Sequence, residues 1–313
     1  MSSRFKFFDE EKPDEIIDKI ESKSHKEVNI EQKEPIYLKY RCEQTVATKF
    51  NNVITNHATT KREFHVKNII DSGNLIVEVS LFDNIIQINP SNLSDAMDLF
   101  ASLDAIKCNV RVQIDQDTGK INKILNYNEV LNSWDNFKAV LKDRYSFLRS
   151  NNAEIELKKF IYLAEAQIKD EKILIEDIHT KLFFDLFFDR YLVNLSEVFK
   201  PFTLNYHSQL FEGIAVPLHI SSEIIFEQPE FVEIKKQSKM NISEINIGEV
   251  KKQYDQKFQP IVGYKFSSYD FQYQVRQIIN TAQSLIQEAD VFIMEEVKNN
   301  VEVIIDYKLR RIE

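Results

Sequence analysis

Apolar and polar side chains begin to alternate at Ile36. In "EPIYLKYRCEQTVATKF" (34–50), Ile36, Leu38, Tyr40, Cys42 and, less regularly, Val46 lie on one side of an extended chain. That period of two predicts a long strand with one solvated face. Phe64, Val66 and Ile69 then lead to Asp71-Ser72-Gly73, and Leu75, Val77, Val79 and Leu81 follow. A turn tripeptide between two β-rich runs predicts a hairpin, with Gly73 supplying the positive φ. "NPSNLSDAMDLFASLD" (89–104) reads as a short helix, with Asn92 as cap and Met97 and Phe100 inward. Alternation returns at Cys108, Val110, Val112 and Ile114, and a loop over 115–120 leads into a strand marked by Ile121 and Leu125, with Ile124 out of phase.

From there the period lengthens. Val130, Trp134, Phe137, Leu141, Tyr145 and Leu148 recur at three and four residues, predicting a helix capped near Asn128, with Trp134 as a core anchor between helix and sheet ahead of a ligand-stacking platform. Leu157, Phe160, Ile161, Ala164 and Ile168 mark a second helix over 153–169. A third is expected over 171–193, where Leu174, Ile178, Leu182, Leu186 and Tyr191 share a face that Phe183, Phe184, Phe187 and Phe188 widen almost to a full turn. A helix this apolar must be covered on several sides, by the rest of the monomer or by another chain.

Strand-like patterns resume beyond Pro201 with Phe202, Leu204 and Tyr206, then Ile214, Val216, Leu218 and Ile220. Pro217 assigns that second run to an edge strand or a bulge. Residues 258–271 read as a strand, and 273–290 as a helix with Val275, Ile278, Ile279, Ala282, Leu285, Ile286 and Ala289 on its stripe. A hairpin around "KNN" (298–300) closes the chain. The pattern divides into a charged tether with a short helix near Pro13 (1–34), an antiparallel β region (35–127), central helices (128–195) and a second β-rich region with one or two helices (196–313). The predicted class is α+β, with antiparallel β-rich N- and C-terminal regions around a central helical segment.

Composition narrows the function. The formal net charge is −9 and no basic patch stands out, so no nucleic-acid partner is expected. The 5 glycines form neither a dinucleotide fingerprint nor a P-loop, so no cofactor is expected, and the absence of G-x-S-x-G weakens a hydrolase reading. Cys42 and Cys108 are read as buried free thiols. No run reaches the length of a membrane span and the N-terminus lacks a secretory pattern, so membrane insertion is not expected and a cytoplasmic location is. The bias to Asn, Ile, Lys and Phe suggests a low-GC, bacterial genome.

Candidate chemistry is sparse. Asp115, Asp117 and Gly119 open like a calcium loop, but Lys120 stands where the loop needs glycine and Asn126 where it needs glutamate, so this is a turn in which the aspartates bond backbone groups and no metal is expected. His207 and His219 lack a third ligand. His179 lies three residues after Glu176 in the most apolar segment, as in an ion pair or a base with an orienting carboxylate. Asp185 and Asp189 share a helical face, but Lys181 balances them, and no catalytic residue is assigned. Two expectations follow. The first is a non-catalytic binding, assembly or scaffold protein that self-associates or holds a protein partner through Phe184, Phe188, Arg190, Tyr269 and Tyr273. The second is a small-ligand-binding protein or enzyme with a pocket between sheet and helices, lined by Trp134, His179 and Tyr206.

Overall fold

The structure is a computed structural model that describes residues 34–89, 94–144 and 151–313. Its strands are β1 (Ile36–Phe50), β2 (Val53–Asp71), β3 (Asn74–Asn89), β4 (Val110–Ile114), β5 (Ile121–Ile124), β6 (Phe202–His207), β7 (Ala215–Glu227), β8 (Phe231–Met240), β9 (Tyr269–Asn280), β10 (Leu285–Val297) and β11 (Val301–Arg311). The helices are α1 (Ser94–Cys108), α2 (Tyr127–Arg144), α3 (Asn151–Ile168), α4 (Glu171–His179), α5 (Leu182–Phe187), α6 (Ile247–Lys257) and α7 (Gln259–Val262). The fold is α+β, with antiparallel strands at both ends of the chain and helices between them.

Both β regions belong to one sheet of eleven strands, ordered β5-β4-β3-β2-β1-β11-β10-β9-β8-β7-β6. The join is the antiparallel pairing of β1 with β11, from Tyr40 opposite Arg311 to Phe50 opposite Val301. The turn between β1 and β2 is Asn51-Asn52, both at positive φ, a conformation asparagine tolerates better than most residues.

The two faces of the sheet differ. Outward positions carry cross-strand ion pairs: Glu223 with Lys235, Glu233 and Asp290 with Arg276, Asp290 with Arg310, Glu63 with Arg41, and Glu78 with Lys67 and Arg111. Inward positions such as Tyr40, Phe64, Val77, Val275, Ile293 and Leu309 are buried under the helical layer in one continuous core.

Several sequence expectations need correction. The single helix over 171–193 is broken into α4, α5 and a 3-10 turn, Arg190–Leu192, and a second 3-10 turn follows at Leu195–Phe199. Asp170 caps the start of α4 through the N–H groups of Lys172 and Ile173, and at its end the Thr180 hydroxyl bonds the Asp177 carbonyl at 2.7 Å. The Tyr191 hydroxyl donates to the Leu186 and Phe187 carbonyls at the end of α5. These breaks aim the phenylalanines in several directions, all inward: Phe184, Phe187 and Phe188 are fully buried. Phe184 and Phe188 therefore do not face outward as the helical pattern suggested; they pack on each other, and Phe184 also meets Phe64.

Residues 273–290 are the facing parts of β9 and β10, not a helix. Tyr269, Phe271, Tyr273, Val275, Gln277 and Ile279 keep a period of two, and a bulge between Ile286 and Glu288 shifts the phase on β10, which together imitate a helical stripe. Residues 258–271 hold α7, stopped by Gly263 at φ +81°, and become a strand only at Tyr269. A bulge between Gln113 and Ile114 sets Ile114 opposite Ile121 and Val112 opposite Ile124, so both isoleucines of β5 are buried while Leu125 is exposed. Cys108 ends α1 rather than starting a strand, and it and Cys42 are buried free thiols. Phe100 is exposed rather than inward, its edge set against Phe160. Pro217 pairs with Asn205 on β6, and the β8 pairing starts one residue later, so its missing N–H disrupts no ladder there. The helix near Pro13, the Asn92 cap, Tyr145 and Leu148 lie outside the described residues. Among the described residues no helix is long and apolar enough to cross a membrane.

Candidate ligand cavity

The site begins at the loop between β4 and β5. The Asp115 carboxylate accepts from the N–H of Asp117 at 3.1 Å and from the N–H and hydroxyl of Thr118, both at 2.8 Å. Those bonds, the Thr118 hydroxyl first, hold its carboxyl below the usual carboxylate range. Gly119, at φ +69°, touches the backbone of 189–190: a Cβ there would stand 2.3 Å from the Asp189 carbonyl oxygen. Glycine is thus required both by conformation and by close approach. Lys120 then reaches the Asp185 carboxylate at 3.2 Å.

His179 ends α4 under this hairpin. Its Nε2 accepts from the N–H of Ile121 at 3.2 Å, which leaves the proton on Nδ1, and Nδ1 is buried without a partner. Burial, aided by the charge of Lys120, pushes the imidazole down to about 4, so the ring is neutral. Beyond α5, burial alone would raise Asp189, but Lys236 and Lys120 outweigh it and hold the carboxyl at about 2. Lys236 comes from an inward position of β8 and bonds Asp189 directly, both being nearly inaccessible. Arg190 donates from Nη1 to the carbonyls of Glu197 at 3.0 Å and Lys200 at 3.3 Å, and its guanidinium lies 5.1 Å from the centre of the Phe202 ring. It has no carboxylate partner among the described residues.

These groups line a cavity of about 1030 Å³ between the inner face of the sheet, α4 and α5, the tip of the β4–β5 hairpin and edge strand β6. Its apolar wall includes Phe64, Phe183, Leu186, Phe202, Leu204 and Ile305. Its polar lining includes Gln44, Arg62, Lys120, His179, Asp185, Asp189, Arg190, Tyr206, Lys236, Tyr273 and Tyr307. Burial, then the charges of Glu295 and Asp185, push the Tyr206 hydroxyl up to about 12. Tyr273 sets its hydroxyl 3.4 Å from Asp185.

Next to the cavity lies a polar cluster of different character. Glu295, buried on β10, accepts from the hydroxyls of Ser208 and Tyr269 and from the N–H groups of Gln209 and Leu210. It fastens the 208–210 segment to the sheet.

Of the residues the sequence suggested for a pocket, His179 and Tyr206 line this cavity. Trp134 does not: it is fully buried, 6.0 Å from the Phe137 ring, with Lys138 over its ring. Arg190 and Tyr273, expected at an interface, line the cavity as well, and Tyr269 serves the Glu295 cluster. Sequence reasoning missed Lys236 and Lys120. The signal for Lys236 was available, since Val232, Ile234 and Lys236 fall on one face of a strand. Among the described residues no group of three or more His, Cys, Asp or Glu side chains could hold a metal ion.

No protein family matches the chain. No curated protein matches it either. Among solved structures it is similar to one described as "Lipid-protein interactions in lipovitellin", with a TM-score of 0.41 and 10% identity, covering 88% of this chain and 25% of that one. The chain thus spans about a quarter of that protein's length, and a likeness so remote says nothing about activity.

Proposed function

We propose that this chain is a small-ligand-binding protein that encloses a molecule with a substantial apolar part between its sheet and its central helices. The observation that carries the reading is the cavity of about 1030 Å³, at the upper end of the roughly 300–1,000 Å³ of small-molecule sites, with an aromatic and aliphatic wall and a few convergent polar groups. Protein contact through Phe184 and Phe188 loses its footing because both are buried. Nile red titrated into the purified protein tests the reading. Saturable binding with a blue-shifted emission is expected, weakened at least about tenfold by Leu204→Trp, which narrows the cavity from its edge strand. Ile305→Phe is the second filling variant, should Leu204→Trp fail to fold. No saturable binding, or undiminished binding in both folded variants, would contradict it.

A further inference from the structure

The inference concerns what kind of molecule the cavity accepts, and it rests on the ligand-binding reading above. Around α5 the lining charges do not cancel. Lys120 is paired with Asp185 and Lys236 with Asp189, while His179 is held neutral by the N–H of Ile121. Arg62 and Lys181 share Asp104, and Arg190 remains: over the whole lining five cations face four carboxylates, so it carries one net positive charge inside a chain whose net charge is −9. The guanidinium spends Nη1 on two backbone carbonyls and one face on Phe202, leaving N–H donors without an acceptor among the described residues. The Tyr307 hydroxyl, which also lines the cavity, is buried without a partner among the described residues. A half-buried cation is costly to leave unpaired, and a guanidinium matches the two oxygens of a carboxylate. The remaining wall, Phe64, Phe183, Leu186, Leu204 and Ile305, offers no hydrogen bond and suits a hydrocarbon body.

We infer that the cavity binds an amphiphilic monocarboxylate, with its carboxylate on Arg190 and its apolar body along the aromatic and aliphatic wall. The probes are dodecanoate and its neutral methyl ester, each displacing Nile red from the full chain at fixed pH and salt. A charge-assisted pair of this kind predicts at least about tenfold preference for the acid. Arg190→Gln should bring acid and ester within about twofold of each other, both displacements being referred to the variant's own Nile red affinity. If that variant fails to fold, the wild-type preference is re-measured at higher ionic strength, where a charge-assisted contact at a half-buried cation should weaken it; a preference indifferent to salt overturns the inference. Equal displacement by acid and ester, or a preference for the ester, overturns the inference and leaves the ligand-binding reading standing. A preference kept intact in folded Arg190→Gln also overturns it. Failure of Nile red to bind at all removes the ligand-binding reading itself.

Discussion

Two polar clusters lie side by side on the inner face of the sheet. At Glu295 a buried carboxylate receives two hydroxyls and two backbone N–H groups, and each donor ends on an acceptor. In the cavity, among the described residues, the buried His179 Nδ1 and the Tyr307 hydroxyl have no partner and Arg190 has no carboxylate. Buried polar groups are costly when unpaired, so a satisfied cluster acts as a fastener. An unsatisfied one beside an open volume fits the proposed ligand site.

The largest expected effect follows from breaking the satisfied cluster. Glu295→Leu strands two hydroxyls and two N–H groups and should destabilise the fold by roughly 3–5 kcal/mol in urea titrations, while Glu295→Gln, which keeps acceptor capacity, should cost distinctly less. Equal, small losses in both variants would mean that Glu295 is not a fastener.

Next comes a pH effect from His179. Its folded pKa, about 4, lies below the ordinary value of 6.5, so the unfolded chain binds the extra proton first. The contribution is fully present above pH ~6.5 and is lost as pH falls towards 4, up to about 3 kcal/mol. Urea titrations across that window should show the slope in wild type and a shallower one in His179→Gln; parallel slopes would place the titration elsewhere.

Smaller effects distinguish the two tyrosines. Tyr269→Phe removes a donor to Glu295 and should cost about 1–2 kcal/mol, whereas Tyr307→Phe removes a hydroxyl without a partner among the described residues and should change stability by less than about 0.5 kcal/mol. Equal costs would erase the contrast between the clusters.

How much of this could be read in advance depended on how local the signal was. The hairpin at Asp71–Gly73 and the one at 298–300 were legible because turn residues sit between alternating runs. The β9–β10 pair was not, because the bulge at Ile286–Glu288 moved the apolar residues into a helical phase. The phenylalanine-rich segment could not reveal its breaks, which depend on contacts as distant in sequence as Ile121 with His179. For the same reason only parts of the cavity were visible. His179 and Tyr206 were singled out, but the joining of β1 to β11, which sets Gln44 and Tyr307 on a common floor, has no signature in either strand. Trp134 was read first as a core anchor and second as a ligand platform, since a lone tryptophan suits both, and its complete burial bears out the core.

The most direct test of the account is calorimetric titration of dodecanoate into the wild-type chain and into Leu204→Trp, with melting temperatures measured on the same samples. The account predicts one molecule bound per chain, a melting temperature that rises with ligand concentration, and at least about tenfold weaker binding in the filled variant at an unchanged fold. No saturable heat in the wild type, or binding undiminished by a folded Leu204→Trp, would contradict it.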